Sequence, residues 1–549
     1  MRTTKSRMSR LLAVPVALSM LAAACGGSEE TAETTEPEAA TTTEARQVNT
    51  DTGEQTTTTV AAEVTTTTEP IPPASGTLRM VEFSPVTTFN PAGSQTAQSA
   101  YLYPAYDTLT RQTNDLTVVP ALATGWTRPD DVTWEFTLRD DVVFHDGAAF
   151  NAQVAVDNFN YHASFQGNPN AATWSNMVEA RVVDDTTFQV EFASPNPSFP
   201  LEMSMVMGMM ISPNFLDGSD LTRNPQGSGP WIWSEEESEA GVTEVYNLNP
   251  EHWNPADQGV EQVTVTLVAD NNARMNALLT GEADIMATTR DAQLQTGLDA
   301  GMMQISVPNY FPYVFIIDRE GDSNPALADI RVRQAILKAM DLEAYNDSIH
   351  AGKGDGASGI FPPAFGEFHD PALAASTYDP EGARALLAEA GYGDGLTINM
   401  PMMPAISPHM DIIVQMLGAV GITVEIDQIN NGELGPRFRS GQSALTWNRA
   451  LLVHPAKDLG FWIGENAPMN PFNLTDTNDL YDKLQEALSS DPDTAKALYS
   501  EITQGLIDMG ALIPLGHGGQ NGMYAPNVTG VVMGLNMQAP MPYGVRVDG

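Results

Sequence analysis

Strand signals followed by helix signals recur from residue 77 onward in this 549-residue chain, and that alternation restricts its fold more than any other feature. Val132, Trp134, Phe136 and Leu138 alternate with Thr133, Glu135, Thr137 and Arg139, the two-residue period of a half-buried strand. A second apolar stretch, Val142 to Phe144, ends at the turn His145-Asp146-Gly147, after which Asn151 is placed to cap a helix starting at Ala152. Further on, Val263, Val265 and Leu267 point one way along a strand. Asp270 then caps a helix expected to bury Met275, Leu278 and Leu279, and Gly281 ends it. In YDPEGARALLAEAGY, Asp379 is the N-cap, Pro380 takes the first helical position, Gly391 closes the helix, and Leu386, Leu387 and Ala390 make the buried stripe. Such an order predicts an α/β protein.

Residues 1–76 follow other rules. Arg2, Lys5, Arg7 and Arg10 precede an apolar run from Leu11 to Leu21, and Ala22-Ala23-Ala24 leads to Cys25, the single cysteine. Basic, apolar and small residues in that order read as a secretory signal peptide, and the run is too short to span a bilayer. Cysteine directly after the small residues resembles a bacterial lipobox, although Ala22 stands where that motif favours Leu. The resemblance implies lipidation of Cys25 after cleavage; an ordinary signal peptide with an incidental cysteine is the other reading. From Gly26 to Gly76 the chain is Thr, Glu, Ala and Pro with almost no large apolar residue, so it reads as a disordered tether. Its root-mean-square reach as a flexible coil is about 40 Å.

The remaining residues, roughly 470 of them, are too many for one ordinary core and imply two or three domains. The formal charge is −43; with four basic residues before Cys25 and ten acids against one arginine in the tether, the folded part carries −38. That surface repels nucleic acid and anionic headgroups. One cysteine in an exported chain means stability without disulfides. Eight histidines are scattered, with no HExxH and no Cys/His cluster, so no metal site and no cofactor is expected. His145 reads as a turn or core histidine. GDGASG (Gly354 to Gly359) has GxGxxG spacing but leads into IFPP instead of a helix, so no helix N-terminus lies under a phosphate. Neither GxSxG nor SxxK occurs, and no catalytic residue is assigned.

The block from Val119 to Gln153, VPALATGWTRPDDVTWEFTLRDDVVFHDGAAFNAQ, closely resembles the family 5 extracellular solute-binding proteins of ABC importers, the peptide- and nickel-binding family. NPQGSGPWIW (Asn224 to Trp233), the stretch Leu248 to Met286, DIRVRQAILKAMD (Asp329 to Asp341) and YDPEGARALLAEAGY (Tyr378 to Tyr392) agree in the same order. The resemblance spans Thr77 to about Gly530. It implies a bilobed periplasmic-binding-protein-like fold, type II and large, with an extra subdomain and a hinge between lobes. By matching blocks, 1–25 is the signal, 26–76 the tether, 77–111 with 204–318 and 514–549 the main subdomain of the first lobe, 112–203 its inserted subdomain, and 319–513 the second lobe. Crossings would fall near Ile317-Asp318 and Ile513-Pro514.

The same resemblance implies the site. In peptide-binding members an aspartate a few residues after the equivalent of Trp447 accepts the peptide's α-ammonium; Ala450 or Leu451 stands there in this chain. Trp447 could stack on a solute or fill a core, with Asn448 beside it, and Arg449 could meet a carboxylate or remain a solvated loop residue. His517, Tyr101, Tyr103, Tyr313 and Phe315 fall on segments that approach the cleft in relatives. The run MSMVMGMM (Met203 to Met210) suits an adaptable apolar wall or core packing. The implied function is capture of a solute, a peptide by preference and a sugar as the other option. A monomer, lipid-anchored on the extracytoplasmic face of the membrane, would deliver it to an ABC permease. A lipid-anchored enzyme acting on cell-wall or peptide material and a solute sensor are the alternatives.

Overall fold

One 14-residue strand, Met303–Ile316, organises the protein by pairing with different partners along its length. The computed structural model describes residues 71–548 apart from 218–220, 288–290, 351, 355–358, 374–377, 431–432 and 536–538. The signal peptide, Cys25, most of the tether and the middle of GDGASG lie outside the described residues. Over Met303–Tyr310 the strand pairs antiparallel with Gly518–Tyr524; over Tyr310–Ile316 it pairs with Leu445–Leu451 and with Leu512–Pro514. The partner change coincides with a register irregularity between Val307 and Tyr310.

Beyond Gly518–Tyr524 the same sheet continues through Ile285–Met286, Thr77–Glu82, Gln262–Leu267, Thr243–Leu248 and Trp231–Trp233. Thr77–Glu82 runs parallel to both of its neighbours. A separate four-stranded antiparallel sheet is built from Ala123–Asp130, Thr133–Leu138, Thr187–Phe192 and Met177–Asp184, with the helix Ala152–Ser164 packed against it. The parallel pair Leu396–Met402 and Ile422–Gln428 is joined by helices Ile330–Ala339, Pro380–Glu389 and Ser407–Ala419 around a core that includes Val314, Ile336 and Met410.

The local signals act as their chemistry requires. Asn151 Oδ1 accepts from Val154 N at 3.0 Å, Asp270 Oδ1 from Ala273 N at 2.8 Å, and Asp379 Oδ1 from Gly382 N at 2.8 Å, each satisfying an orphan helical donor. Gly281 closes its helix at φ 76°, in the left-handed region that glycine adopts without a Cβ penalty. Two expectations need correction. Leu279 is exposed: Arg274, Met275 and Leu278 form the inward face, and Leu279 lies about 90° round from its centre. In the helix Pro380–Glu389 the fully buried positions are Ala383 and Leu387, with Leu386 and Ala390 at the margin of the stripe. Met203, Met205, Met207, Met209 and Met210 are core residues of the first, larger cluster.

The Gly-rich turn before Trp231 depends on a close approach. Gly229 N donates to Ala105 O at 3.0 Å and Trp231 N to Pro104 O at 2.9 Å. A Cβ on Gly229 would stand 2.5–2.6 Å from the backbone of residues 104–106. Gly229→Ala is expected to cost about 1–3 kcal/mol of stability, read as a lower urea midpoint with an unchanged slope.

Residues 112–203 and 319–513 touch directly: Arg128 Nη2 donates to Leu488 O at 3.0 Å, and Lys457 Nζ lies 3.4 Å from Glu202 Oε2. Arg546 donates to the carbonyls of Pro72 and Pro73, so the end of the 26–76 segment rests on the folded body. Among the described residues no helix is long and apolar enough to cross a membrane.

Candidate functional site

Alternation along the strand Met303–Ile316 sends Phe311, Tyr313 and Phe315 to one face and Tyr310, Val314 and Ile316 to the other. On the first face Phe311 and Tyr313 stack at 5.6 Å between centroids, and Trp462 meets both edge-on at 6.2 and 5.4 Å. His517 lies 5.6 Å from Phe311, and its Nε2 is 2.8 Å from the Ile360 carbonyl oxygen, so that nitrogen carries the proton. Phe315 is buried under the Arg319 guanidinium at 5.7 Å. Tyr313 Oη and Trp462 Nε1 are buried next to each other and to the Asn448 side chain, and among the described residues neither completes a hydrogen bond of full geometry. Burial raises the Tyr313 phenol well above its usual range, so it stays protonated and able to donate.

The opposite face belongs to the second core. Trp447 pairs with Val314, which turns its ring away from Phe311 and Tyr313. Its Nε1 donates to Tyr345 Oη at 3.3 Å and its ring lies 4.5 Å from His409. The register explains this placement, which the Trp-Asn-Arg motif alone does not reveal. Asn448, opposite Tyr313, is half-buried and accepts from Arg449 N at 2.8 Å. Arg449 is exposed with its guanidinium 5.4 Å over the Tyr310 ring, a cation–π contact. Ala450 and Leu451 oppose Phe311 and Tyr310, so the strand Leu445–Leu451 carries no carboxylate.

Tyr101 and Tyr103 belong to a third group. Tyr103 is core: its hydroxyl donates to Ser204 O at 3.4 Å and its ring meets Tyr543 edge-on at 5.9 Å. Tyr101 is equally buried, yet its hydroxyl has no partner among the described residues, while its carbonyl accepts from Tyr246 Oη at 2.6 Å. Tyr101 lines a narrow crevice with Val86, Val242, Glu244 and Leu267. Glu82, which sequence reasoning missed, ends the strand Thr77–Glu82 close to Tyr101: burial first, then the Glu82 and Glu244 carboxylates, push the Tyr101 phenol up. The signal was present as an acid closing the otherwise apolar stretch MVE.

A second buried charge cluster is structural. Ligand atoms of Asp107, His252 and Asp257 lie within 4.8 Å of one another, an arrangement that could hold a metal. The Arg111 guanidinium already bridges the two carboxylates, 2.7 Å from Asp107 Oδ1 and 2.7 Å from Asp257 Oδ2. Burial alone would raise Asp107, but His252, Arg111 and the Trp253 N–H outweigh it and hold the carboxyl well below its usual range. An open hollow of about 430 Å³ on the second core's surface, lined by Asn324, Asn399, Glu425, Asp427 and Gln442, lies toward the Leu445 end of the strand Leu445–Leu451.

Residues 117–451 match the pattern of bacterial extracellular solute-binding proteins, family 5 middle. The chain belongs to that family. The glutathione-binding protein GsiB of Salmonella paratyphi A is 27% identical over 470 residues, covering 78% of this chain and 86% of that protein. Di/tripeptide-binding protein 2 of Pseudomonas aeruginosa is 25% identical over 415 residues, covering 68% and 73%. Among solved structures, NikA of Brucella suis in complex with Fe(III)-EDTA superimposes with TM-score 0.74 at 23% identity, over 86% of this chain and all of that one (100%). DppA of Helicobacter pylori in complex with the peptide STSA gives 0.69 at 19%, over 87% and 99%. This family 5 solute-binding protein of ABC importers therefore has the bilobed, type II periplasmic-binding-protein fold, and its extracytoplasmic location is the one expected of the family.

Proposed function

We propose that the protein captures a peptide-like or other polar solute between its two lobes and passes it, chemically unchanged, to an ABC permease, while a lipid on Cys25 keeps it at the extracytoplasmic face of the membrane. The observation that carries this reading is the crossing strand. It pairs with one body up to Tyr310 and with another beyond it, and at the change its Phe311 and Tyr313 form a desolvated layer with Trp462 and His517, in which Tyr313 Oη, Trp462 Nε1 and Asn448 meet in incompletely formed hydrogen bonds. Polar groups whose hydrogen bonds are incomplete gain from a polar solute that completes them, since a fully unbonded buried group costs about 1–3 kcal/mol. We place the changes of lobe at Tyr310 and between Pro514 and Gly518, where strand partners change. Tyr313, Asn448, Arg449, His517 and Tyr101 border the solute in this account, and Trp447, Tyr103 and Phe315 support it from the cores.

The relatives' names give the solute class its direction, since di/tripeptides and glutathione both carry peptide bonds. Capture needs no reaction. A solute that touches both lobes prefers the closed state, and converting a 1:99 population to 99:1 takes about 5.5 kcal/mol of differential affinity. A dissociation constant of about 1 µM, or about −8 kcal/mol, is large enough to contain that difference when most contacts form only in the closed state, and it still permits release. Incubating the purified protein with mixed peptides and sugars should leave it holding an intact solute by mass spectrometry, with a supernatant free of new products. New products in the supernatant overturn the reading. Cys25→Ser is expected to move the protein from the membrane fraction to the medium, because two or more acyl chains hold a protein durably and the rest of the chain supplies no anchor among its described residues. A variant that stays with the membrane contradicts the lipid anchor.

A further inference from the structure

The chemistry of the solute follows from Glu82, and the inference rests on the capture reading above. Glu82 is 1% exposed; its Oε2 accepts from Phe83 N at 3.2 Å, and its Oε1 has no hydrogen-bond partner among the described residues. Tyr101, also 1% exposed, has an oxygen without a partner among the described residues, near enough for the Glu82 charge to push its phenol up. Strand register shows which way this corner faces. Val81 pairs with Met286, Met286 with Met523, and Gly518 of that last strand with Tyr310. The carboxyl end of Thr77–Glu82 therefore points toward the edge where the chain crosses to the second body, two strand spacings, or about 10 Å, from Gly518–Tyr524. Ligands of open α/β sheets bind at the carboxyl ends of parallel strands, and Thr77–Glu82 is parallel to both neighbours.

We propose that Glu82 and Tyr101 form a first-lobe subsite that receives an ammonium group of the solute, the carboxylate supplying the charge and the phenol oxygen a further acceptor. The neighbouring charges leave this role open. Glu244 is held by Arg223 at 2.6 and 3.1 Å and by Trp233 Nε1, and the Arg274 guanidinium donates to the carbonyls of Val268 and Ala269 and to Asn271. Tyr246 donates to the Tyr101 carbonyl. Burial pushes Glu82 up to about 8 against the opposing pull of the Phe83 N–H and Arg274. At pH 7 the carboxyl is protonated when the site is vacant, and an arriving ammonium displaces that proton to the buffer.

The test uses the exported Cys25→Ser protein with trialanine, N-acetyl-trialanine and N-acetyl-Ala-Lys-Ala as probes, followed by calorimetry in two buffers of different ionisation enthalpy. Wild-type Glu82 should prefer trialanine (a terminal ammonium) or the lysine peptide (a side-chain ammonium) over N-acetyl-trialanine by about 10- to 100-fold. Close to one proton should leave per solute at pH 7. Glu82→Gln should remove both the preference and the proton release, and Tyr101→Phe should weaken the preference several-fold with the fold intact. Equal binding of all three probes by the wild type, or a preference and proton count unchanged in Glu82→Gln, overturns the inference while capture stands. Retention of no solute from the mixed peptide and sugar pool defeats the capture reading itself.

Discussion

Replacing Arg111 with methionine should lower the free energy of unfolding by about 3–5 kcal/mol, the range for removing one partner of a buried ion pair. Its guanidinium is the one cation bonded to both Asp107 and Asp257 among the described residues, and Asp107 is fully buried. Methionine fills the volume beside Tyr543, where Arg111 now stacks at 4.1 Å, but leaves two carboxylates facing each other across a desolvated space. His252 and Trp253 still reach Asp107, so the loss stays short of two isolated buried charges. Lys483→Met removes one partner of the exposed Lys483–Glu501 pair and should change stability by less than about 1 kcal/mol. Urea midpoints for the two variants decide the matter; an Arg111→Met protein as stable as Lys483→Met contradicts the buried-network account.

Glu82→Gln should stabilise the protein, by an amount that depends on pH. In the unfolded chain Glu82 loses its proton near pH 4.5, but in the folded protein only near 8. Below pH 4.5 both states are protonated, and the carboxyl contributes no difference. Between 4.5 and 8 the unfolded chain is ionised while the folded one holds its proton, so this residue lowers stability as pH rises; above 8 the penalty is constant. Glutamine escapes the penalty. The variant should match the wild type at pH 4 and exceed it by about 2–4 kcal/mol at pH 8, read as a pH-dependent gain in melting temperature. A gain of the same size at every pH contradicts burial of a titrating carboxyl. Stability gained with solute affinity lost is the usual relation between a binding group and the fold that carries it.

Local signals were legible because their partners lie a few residues away. Asn151, Asp270 and Asp379 cap the helices their spacing indicates, and the alternation around Phe136 marks a strand. The ordered blocks identified the family and hence the two-lobed plan. What pairing brings together from distant segments was not legible. Trp447 faces a core because Val314 lies opposite it, a register no single strand discloses. Glu82 comes within electrostatic reach of Tyr101 only once the strand Thr77–Glu82 and the helix Ser99–Leu102 are both in place. Arg111 joins Asp107, four residues away, to Asp257, which is far along the chain, and a motif search looks for neither. Where the partners of Met303–Ile316 change, at Tyr310, is likewise set by pairing with distant segments and not by the strand's own sequence.

Closure around an intact solute is the central claim, and a distance measurement tests it most directly. The protein has one cysteine, Cys25, so Val183→Cys and Gln485→Cys in the Cys25→Ser background place two nitroxides uniquely, both at exposed positions, in residues 112–203 and 319–513. Double electron–electron resonance with the solute that co-purifies should give one narrow, short distance, and the solute-free protein a longer and broader one. Identical distance distributions with and without solute would contradict the account.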